Sequence, residues 1–295
     1  MSESKRVVVT GASGLLGRAV VETFRARGDD VTALAHTRVR DGFTPLDLTD
    51  TKAVEAFFER PVDVVVHCAA ERRPDVAEAN PAAAEAINVA VPADLASLAA
   101  EHGFTLLYLS TDYVFDGRNP PYEADSETHP LQMYGRQKLA GEQAIRVAGA
   151  RACALRVPVL YGRAEFNAES AVNVLVDVVK DQSGKKYTMD DYQIRNPTCV
   201  EDVARVLFDL SRTPNLPPIA QYRSTGKPYT KWDMTKVIAA ALNLPLDHIT
   251  PFSTKPTNGT ERPWNTELSV KSLEEAGVST AEAKTFEAWW AAYLQ

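Results

Sequence analysis

The chain has 295 residues, 45% of them hydrophobic and 24% charged, with a formal net charge of −7 and a pI near 5.4. That length suits one large domain, or a nucleotide domain with a smaller companion. With no Lys/Arg run longer than a pair such as Arg72-Arg73, the acidic chain lacks the basic patch a nucleic-acid partner needs, and no run of about 18 apolar residues predicts a membrane span.

In chain order, the β-branched run at 6–10 predicts a first strand and 15–27 a helix after it. Further strands are expected at 31–35, 43–46, 62–68, 104–110 and 153–157, and helices at 51–58, 82–101 and 134–148. Most of these strand runs are apolar throughout rather than alternating, as in strands buried on both faces. Strand–helix alternation of this kind predicts an α/β fold, a Rossmann-type doubly wound parallel sheet covered by helices on both faces. Beyond Gly162 helices are expected at 169–181, 199–210, 230–242 and 269–277, with a break at Asn196-Pro197-Thr198 and a proline-rich surface connection at 211–219. The last segment, 281–294, sets Phe286, Trp290 and Leu294 on one helical face, expected to pack on its own domain. The chain is thus expected to divide into a dinucleotide domain over 1–161, with 192–212 returning to it, and a smaller α/β substrate-type domain from 162–191 and 213–295. The three cysteines, Cys68, Cys153 and Cys199, are far apart and point to a reducing compartment; with no apolar leader at the N-terminus, the cytoplasm is the expected location.

Gly11-x-x-Gly14-x-x-Gly17 falls between the first strand and the first helix. Glycines there allow a tight turn and let the backbone, with Ser13, Leu15 and Leu16, approach a pyrophosphate facing the positive helix end. No Gly-Lys-Ser/Thr follows, which excludes a phosphate-hydrolysing P-loop. The second strand ends in Ala35-His36-Thr37-Arg38 with no acid to bind a ribose 2′-OH. Arg38, with His36 and with Arg18 from the first helix, is placed to neutralise a 2′-phosphate, so NADP(H) is expected over NAD(H). Asp47-Leu48 is placed beside the adenine amino group, and Cys68-Ala69-Ala70 ends the fourth strand with residues small enough for a ribose to pass. Val157 and Pro158, at the end of the sixth strand, complete the expected cofactor contacts.

Tyr134 and Lys138 are four residues apart and share a helix face. A nearby ammonium is expected to pull the phenol down from its usual pKa of about 10, so that Tyr134 could protonate the alkoxide formed as a hydride reaches a carbonyl. Lys138 is also expected to hold the nicotinamide ribose, Thr111 to orient the carbonyl oxygen, and Asn88 to support both catalysis and cofactor. The five histidines show no metal-ligand spacing, and no G-x-S-x-G suggests a hydrolase.

Ser110-Thr111-Asp112-Tyr113-Val114-Phe115-Asp116-Gly117, followed by Tyr134-Gly135-x-x-Lys138-x-x-Gly141-Glu142, resembles the dTDP-4-dehydrorhamnose reductase family. That resemblance implies an extended short-chain dehydrogenase with a small C-terminal substrate domain. A narrower resemblance, to the regulatory beta subunits of methionine adenosyltransferase, is carried by Val66-His67-Cys68-Ala69-Ala70-Glu71-Arg72-Arg73-Pro74-Asp75-Val76 and Leu155-Arg156-Val157-Pro158-Val159-Leu160-Tyr161-Gly162. Glu169-Ser170-Ala171-Val172, Met189-Asp190, Pro197-Thr198 and Arg262-Pro263-x-Asn265 extend it. It implies an NADP-binding, non-catalytic subunit that partners a catalytic subunit making S-adenosylmethionine. The reductase resemblance implies instead NADPH-dependent reduction of a 4-keto-6-deoxy nucleotide sugar or another carbonyl compound. Two positions depart from the reductases: Val159 stands where they carry a sugar-binding Trp, and Glu71-Arg72 where they carry a Tyr-Thr pair.

Overall fold

A computed structural model describes residues 3–257 and 259–295; the expected absence of a leader thus falls partly on Met1 and Ser2, outside the described residues. The strands are β1 (Arg6–Thr10), β2 (Asp30–Ala35), β3 (Thr44–Pro45), β4 (Val64–His67), β5 (Thr105–Thr111), β6 (Ala152–Val157), β7 (Leu160–Tyr161), β8 (Tyr187–Asp190), β9 (Thr198–Cys199), β10 (Ile219–Gln221) and β11 (Ile249–Phe252). The α-helices are α1 (Leu15–Ala26), α2 (Thr51–Phe58), α3 (Pro74–Ala79), α4 (Pro81–Glu85), α5 (Val91–His102), α6 (Met133–Val147), α7 (Val174–Lys180), α8 (Val200–Leu210), α9 (Lys231–Leu242), α10 (Lys271–Glu275) and α11 (Phe286–Tyr293).

Seven strands form one parallel sheet in the order β10-β6-β5-β4-β1-β2-β3. The order reverses between β1 and β4, so the crevice of a doubly wound sheet opens beyond their carboxyl ends. Val64–His67 and Thr105–Thr111 are buried at every position, as strands covered on both faces must be. One core packs α1 and α8 on one face, through Phe24, Val20, Val203 and Leu207; the other packs α2 and α5 on the opposite face, through Phe58, Leu95 and Tyr108. A third core belongs to the smaller region, where α7, α9 and α11 enclose Tyr161, Ile238, Phe286 and Trp290. Trp290 is fully buried there, so the aromatic face of the last helix packs on its own region.

Several elements differ from the sequence expectation. The helix expected at 82–101 runs from Pro81 to His102 and carries a π-helical turn at Ala86–Ala90, which gives Asn88 a fully buried place. At 22 residues it is long and apolar enough to cross a membrane by length and composition, although Glu85, Asn88 and Asp94 interrupt any continuous apolar run, as expected from sequence; its apolar face packs on the sheet. Proline at its first position starts α3, a helix the hydrophobic periodicity did not signal. The strand expected at 43–46 pairs only at Thr44–Pro45, and the helix expected at 169–181 forms only from Val174 to Lys180, after Ser170 turns the chain by accepting the Val172 and Asn173 N–H groups on Oγ. Ile219–Gln221, expected in the smaller region, pairs with β6 at the edge of the large sheet, and α10 packs Leu273 into the same core.

Candidate functional site

A cleft of about 830 Å³ lies beyond the carboxyl ends of β1, β2, β4, β5 and β6 and reaches into the smaller region. Its first wall is the β1–α1 turn. Gly11 takes φ +61, a left-handed conformation only glycine adopts freely, and a Cβ there would stand 2.7 Å from the Ala69 nitrogen. A Cβ on Gly17 would overlap the Gly11 carbonyl oxygen and come within 2.8 Å of Ala12 Cα. Gly14 starts α1 with no side-chain cap and no acid in the first turn, so the free N–H groups of that turn, at Leu15, Leu16 and Gly17, remain available to an anion in the cleft.

Ser13, His36, Arg38, Asp47 and Leu48 line the same end, Cys68, Ala69 and Ala70 follow beyond β4, and Val157 and Pro158 line the cleft beyond β6, where Val157 pairs with Thr111. His36 is mostly exposed and stands 3.8 Å from Asp47, whose Oδ1 accepts from the Thr49 backbone and hydroxyl. The arginines expected to meet a phosphate meet carboxylates of the 163–169 segment instead. Arg18 forks onto Glu169 at 2.6 and 2.9 Å, and Arg38 bonds Glu169 at 2.5 Å and the Ser13 carbonyl at 2.7 Å. Glu165 lies 3.5 Å from Arg38 and 3.7 Å from Arg18 and pairs with Arg40. Burial opposes a charge on Glu169, yet the bonds from Arg18 and Arg38 hold its carboxyl down at about 2.

Thr111, Tyr134 and Lys138 line the middle of the cleft together. Burial lifts the Tyr134 phenol above its ordinary value, and Thr111 and the Arg72 guanidinium oppose that rise. Lys138 lies over the Tyr108 ring at 3.9 Å, and burial pulls its ammonium down to about 7 against the attraction of Glu142. Glu142 is locked under α6 by a buried fork from Arg156, at 2.8 and 3.0 Å, and by the Ser110 hydroxyl. Asn88 does not line the cleft: its side chain accepts from the Glu71 N–H at 3.0 Å and donates to the Glu71 carbonyl and to Gln137. It therefore positions the Glu71–Arg72 turn rather than touching a ligand.

That turn and the smaller region form the far end. Arg72 enters the cleft near Tyr134, while Glu71 turns back to bind Arg73. Arg262 pairs with Asp75 at 2.9 Å, Arg195 is held by the Pro263 and Ile194 carbonyls, and Lys231 and Met234 project from α9. Val159 also lines the cleft. Sequence reading missed Arg195 and Lys231 as cleft residues, and missed Glu165, which stands outside the cleft lining, as a partner of Arg38. Glu165 pairs across 127 positions of chain, and no local pattern signals a contact of that range. Among the described residues no group of three His, Cys, Asp or Glu side chains could hold a metal ion.

The model of the RmlD substrate binding domain matches residues 5–291. The chain belongs to this family. Within it, the chain is 43% identical to methionine adenosyltransferase 2 subunit beta of Xenopus tropicalis over 280 residues, 93% of this chain and 83% of that protein. It is 32% identical to dTDP-4-dehydrorhamnose reductase of Mycolicibacterium smegmatis over 286 residues, 94% of this chain and 81% of that one. Its fold matches that of a dTDP-4-dehydrorhamnose reductase from Bacillus anthracis solved in complex with NADP, with a TM-score of 0.84 and 24% identity over 99% of this chain and 98% of that one. In this chain Thr111, Tyr134 and Lys138 line one cleft, with Arg72 near Tyr134.

Proposed function

We propose that this chain is a regulatory subunit that holds NADP(H) and associates with a methionine adenosyltransferase catalytic subunit in S-adenosylmethionine synthesis. The observation that carries the reading is the Glu71–Asp75 wall of the cleft, with Arg72 near Tyr134, in a chain 43% identical to a methionine adenosyltransferase 2 beta subunit. The residues present fit a nicotinamide dinucleotide. The uncapped first turn of α1 suits the pyrophosphate, Arg38 with Arg18 and Arg40 suits a 2′-phosphate, and no acid ends β2 to favour NAD(H). Lys138 and Tyr134 would hold the nicotinamide ribose, and Asp47 the adenine. Bound there, the cofactor would bring hydride chemistry to the middle of the cleft. A phenol held protonated and an amine near 7 are equipped to bind hydroxyl groups of a cofactor ribose. The cytoplasm is the proposed location, with neither nucleic acid nor membrane as partner.

One observation favours a second reading: Thr111, Tyr134 and Lys138 face a single cleft with open space beside them. In an NADPH-dependent reductase of a 4-keto-6-deoxy nucleotide sugar, Thr111 would orient the substrate oxygen and Tyr134 would deliver its proton. The experiment is a titration of NADPH and NADH with the purified chain, followed by addition of dTDP-4-keto-6-deoxyglucose. The expected result is NADPH binding with flat absorbance of the reduced nicotinamide. A loss of absorbance that disappears in Tyr134→Phe would establish the reductase instead.

A further inference from the structure

Glu169 lines the adenosine end of the cleft, and Glu165 stands beside it, its N–H bonded to the Glu169 carboxylate. Three guanidinium groups, on Arg18, Arg38 and Arg40, face two carboxylates, on Glu165 and Glu169, so the cluster sums to +3 − 2 = +1. The two carboxylates are held very differently. Glu169 is buried, forks with Arg18, bonds Arg38 and accepts the Glu165 N–H at 2.9 Å. It is part of the frame that orients both arginines. Glu165 is one-third exposed, and it reaches all three arginines while forking with none. It is a partly exposed anion, held most closely by Arg40, beside the groups that a 2′-phosphate would use.

We infer that Glu165 is a built-in competitor for the cofactor 2′-phosphate and so sets how strongly the cleft prefers NADP(H) to NAD(H). The inference rests on the NADP(H) assignment made above. A phosphate monoester carries about −1.5 to −2 at pH 7. Added to a cluster of +1 it would leave a net negative charge; with the Glu165 carboxylate released to water the sum returns close to neutral. A cofactor without the 2′-phosphate asks nothing of Glu165 and leaves it in place. The displaced segment matters for the rest of the cleft. Phe166, next in the chain and half exposed, lies against the Arg38 guanidinium at 5.3 Å, and the Ala168 carbonyl accepts from Arg72 at 3.3 Å. The 163–169 segment therefore links the 2′-phosphate position to the arginine near Tyr134.

The test uses the full chain and two probes of the adenosine end, adenosine 2′,5′-bisphosphate and 5′-AMP, titrated calorimetrically against wild type and Glu165→Gln. The variant removes the competing charge at a partly exposed position and keeps the side-chain shape. The bisphosphate is expected to bind roughly three- to tenfold more tightly to Glu165→Gln, as expected from losing a few screened ion pairs, with 5′-AMP unchanged and the gain shrinking in high salt. Unchanged or weaker bisphosphate binding, in a wild type that still prefers it to 5′-AMP, would overturn the competitor role and leave the NADP(H) assignment standing. A wild type that binds the two probes alike would overturn both. Equal tightening of both probes would also overturn the inference, since Glu165 would then be acting on the shared 5′-phosphate end.

Discussion

At the adenosine end of the cleft Arg18, Arg38 and Arg40 each meet a carboxylate, whereas at the far end Arg72, Arg195 and Lys231 meet none within 4.0 Å among the described residues. Arg195 is satisfied by backbone carbonyls and Gln193, which hold its geometry without cancelling its charge. Burial, then Arg262 and Arg195, lower the Lys231 ammonium from its ordinary value; burial and Arg73 do the same to Arg72. The comparison separates two ways of preparing a binding surface. Internal carboxylates fix the arginines in advance and reduce the free charge; neutral acceptors keep the charge and leave it costly until an anion arrives.

The largest effect that would break this picture is steric. Gly17→Ala drives a methyl group into the Gly11 carbonyl and Ala12 backbone, so dinucleotide binding should fall by roughly 100-fold or more and stability by about 3 kcal/mol, measured by titration and denaturant unfolding. Next is the fixed carboxylate. Because the Glu169 carboxyl is depressed in the fold from an ordinary 4.5 to about 2, its contribution is fully present above 4.5 and lost as pH falls toward 2. Glu169→Gln should therefore cost about 2–3 kcal/mol at pH 7, with wild type and variant converging through that acid window. An equal deficit at pH 7 and in acid would show that the ion cluster is not what Glu169 supplies.

Smaller effects of opposite sign are expected where cations lack a carboxylate. The Lys138 ammonium, lowered by burial from 10.5 to about 7, makes the unfolded chain the better proton binder between those values, so stability rises with pH across that window. Lys138→Met should gain about 1–2 kcal/mol below pH 7, an advantage that fades toward pH 10, while weakening cofactor binding. Lys231→Met should raise Tm by about 2–4 °C at neutral pH, because it removes a desolvated ammonium without orphaning a carboxylate. A fall in Tm would mean that the far end is neutralised by contacts other than those seen.

Much of the fold was legible because the first 160 or so residues obey local rules: apolar strand runs, helical spacing and a glycine turn at a strand–helix junction. Every cofactor candidate except Arg18 and Asn88 lies on the cleft wall. What escaped the sequence depends on partners distant in the chain. Ile219–Gln221 is too short to show a period, and only the edge of β6 makes it a strand. Asn88 looked like a site residue because it precedes the reactive strand, but the π-turn aims it at the Glu71 backbone. Where Lys138 rests was not legible, because four-residue spacing places two side chains on one face without fixing the ammonium, which lies over the Tyr108 ring and is attracted by Glu142. The Glu165–Glu169 cluster had no local signal at all, since arginine and carboxylate come from opposite walls of the cleft.

The most direct test of the central proposal is sedimentation of the purified chain mixed with the methionine adenosyltransferase catalytic subunit from the same source, in saturating NADPH. The expected result is a single faster boundary containing both proteins, formed without consumption of NADPH. Two boundaries at the positions of the separate proteins, at concentrations well above micromolar, would contradict the regulatory-subunit reading and turn attention to the reductase chemistry of Thr111, Tyr134 and Lys138.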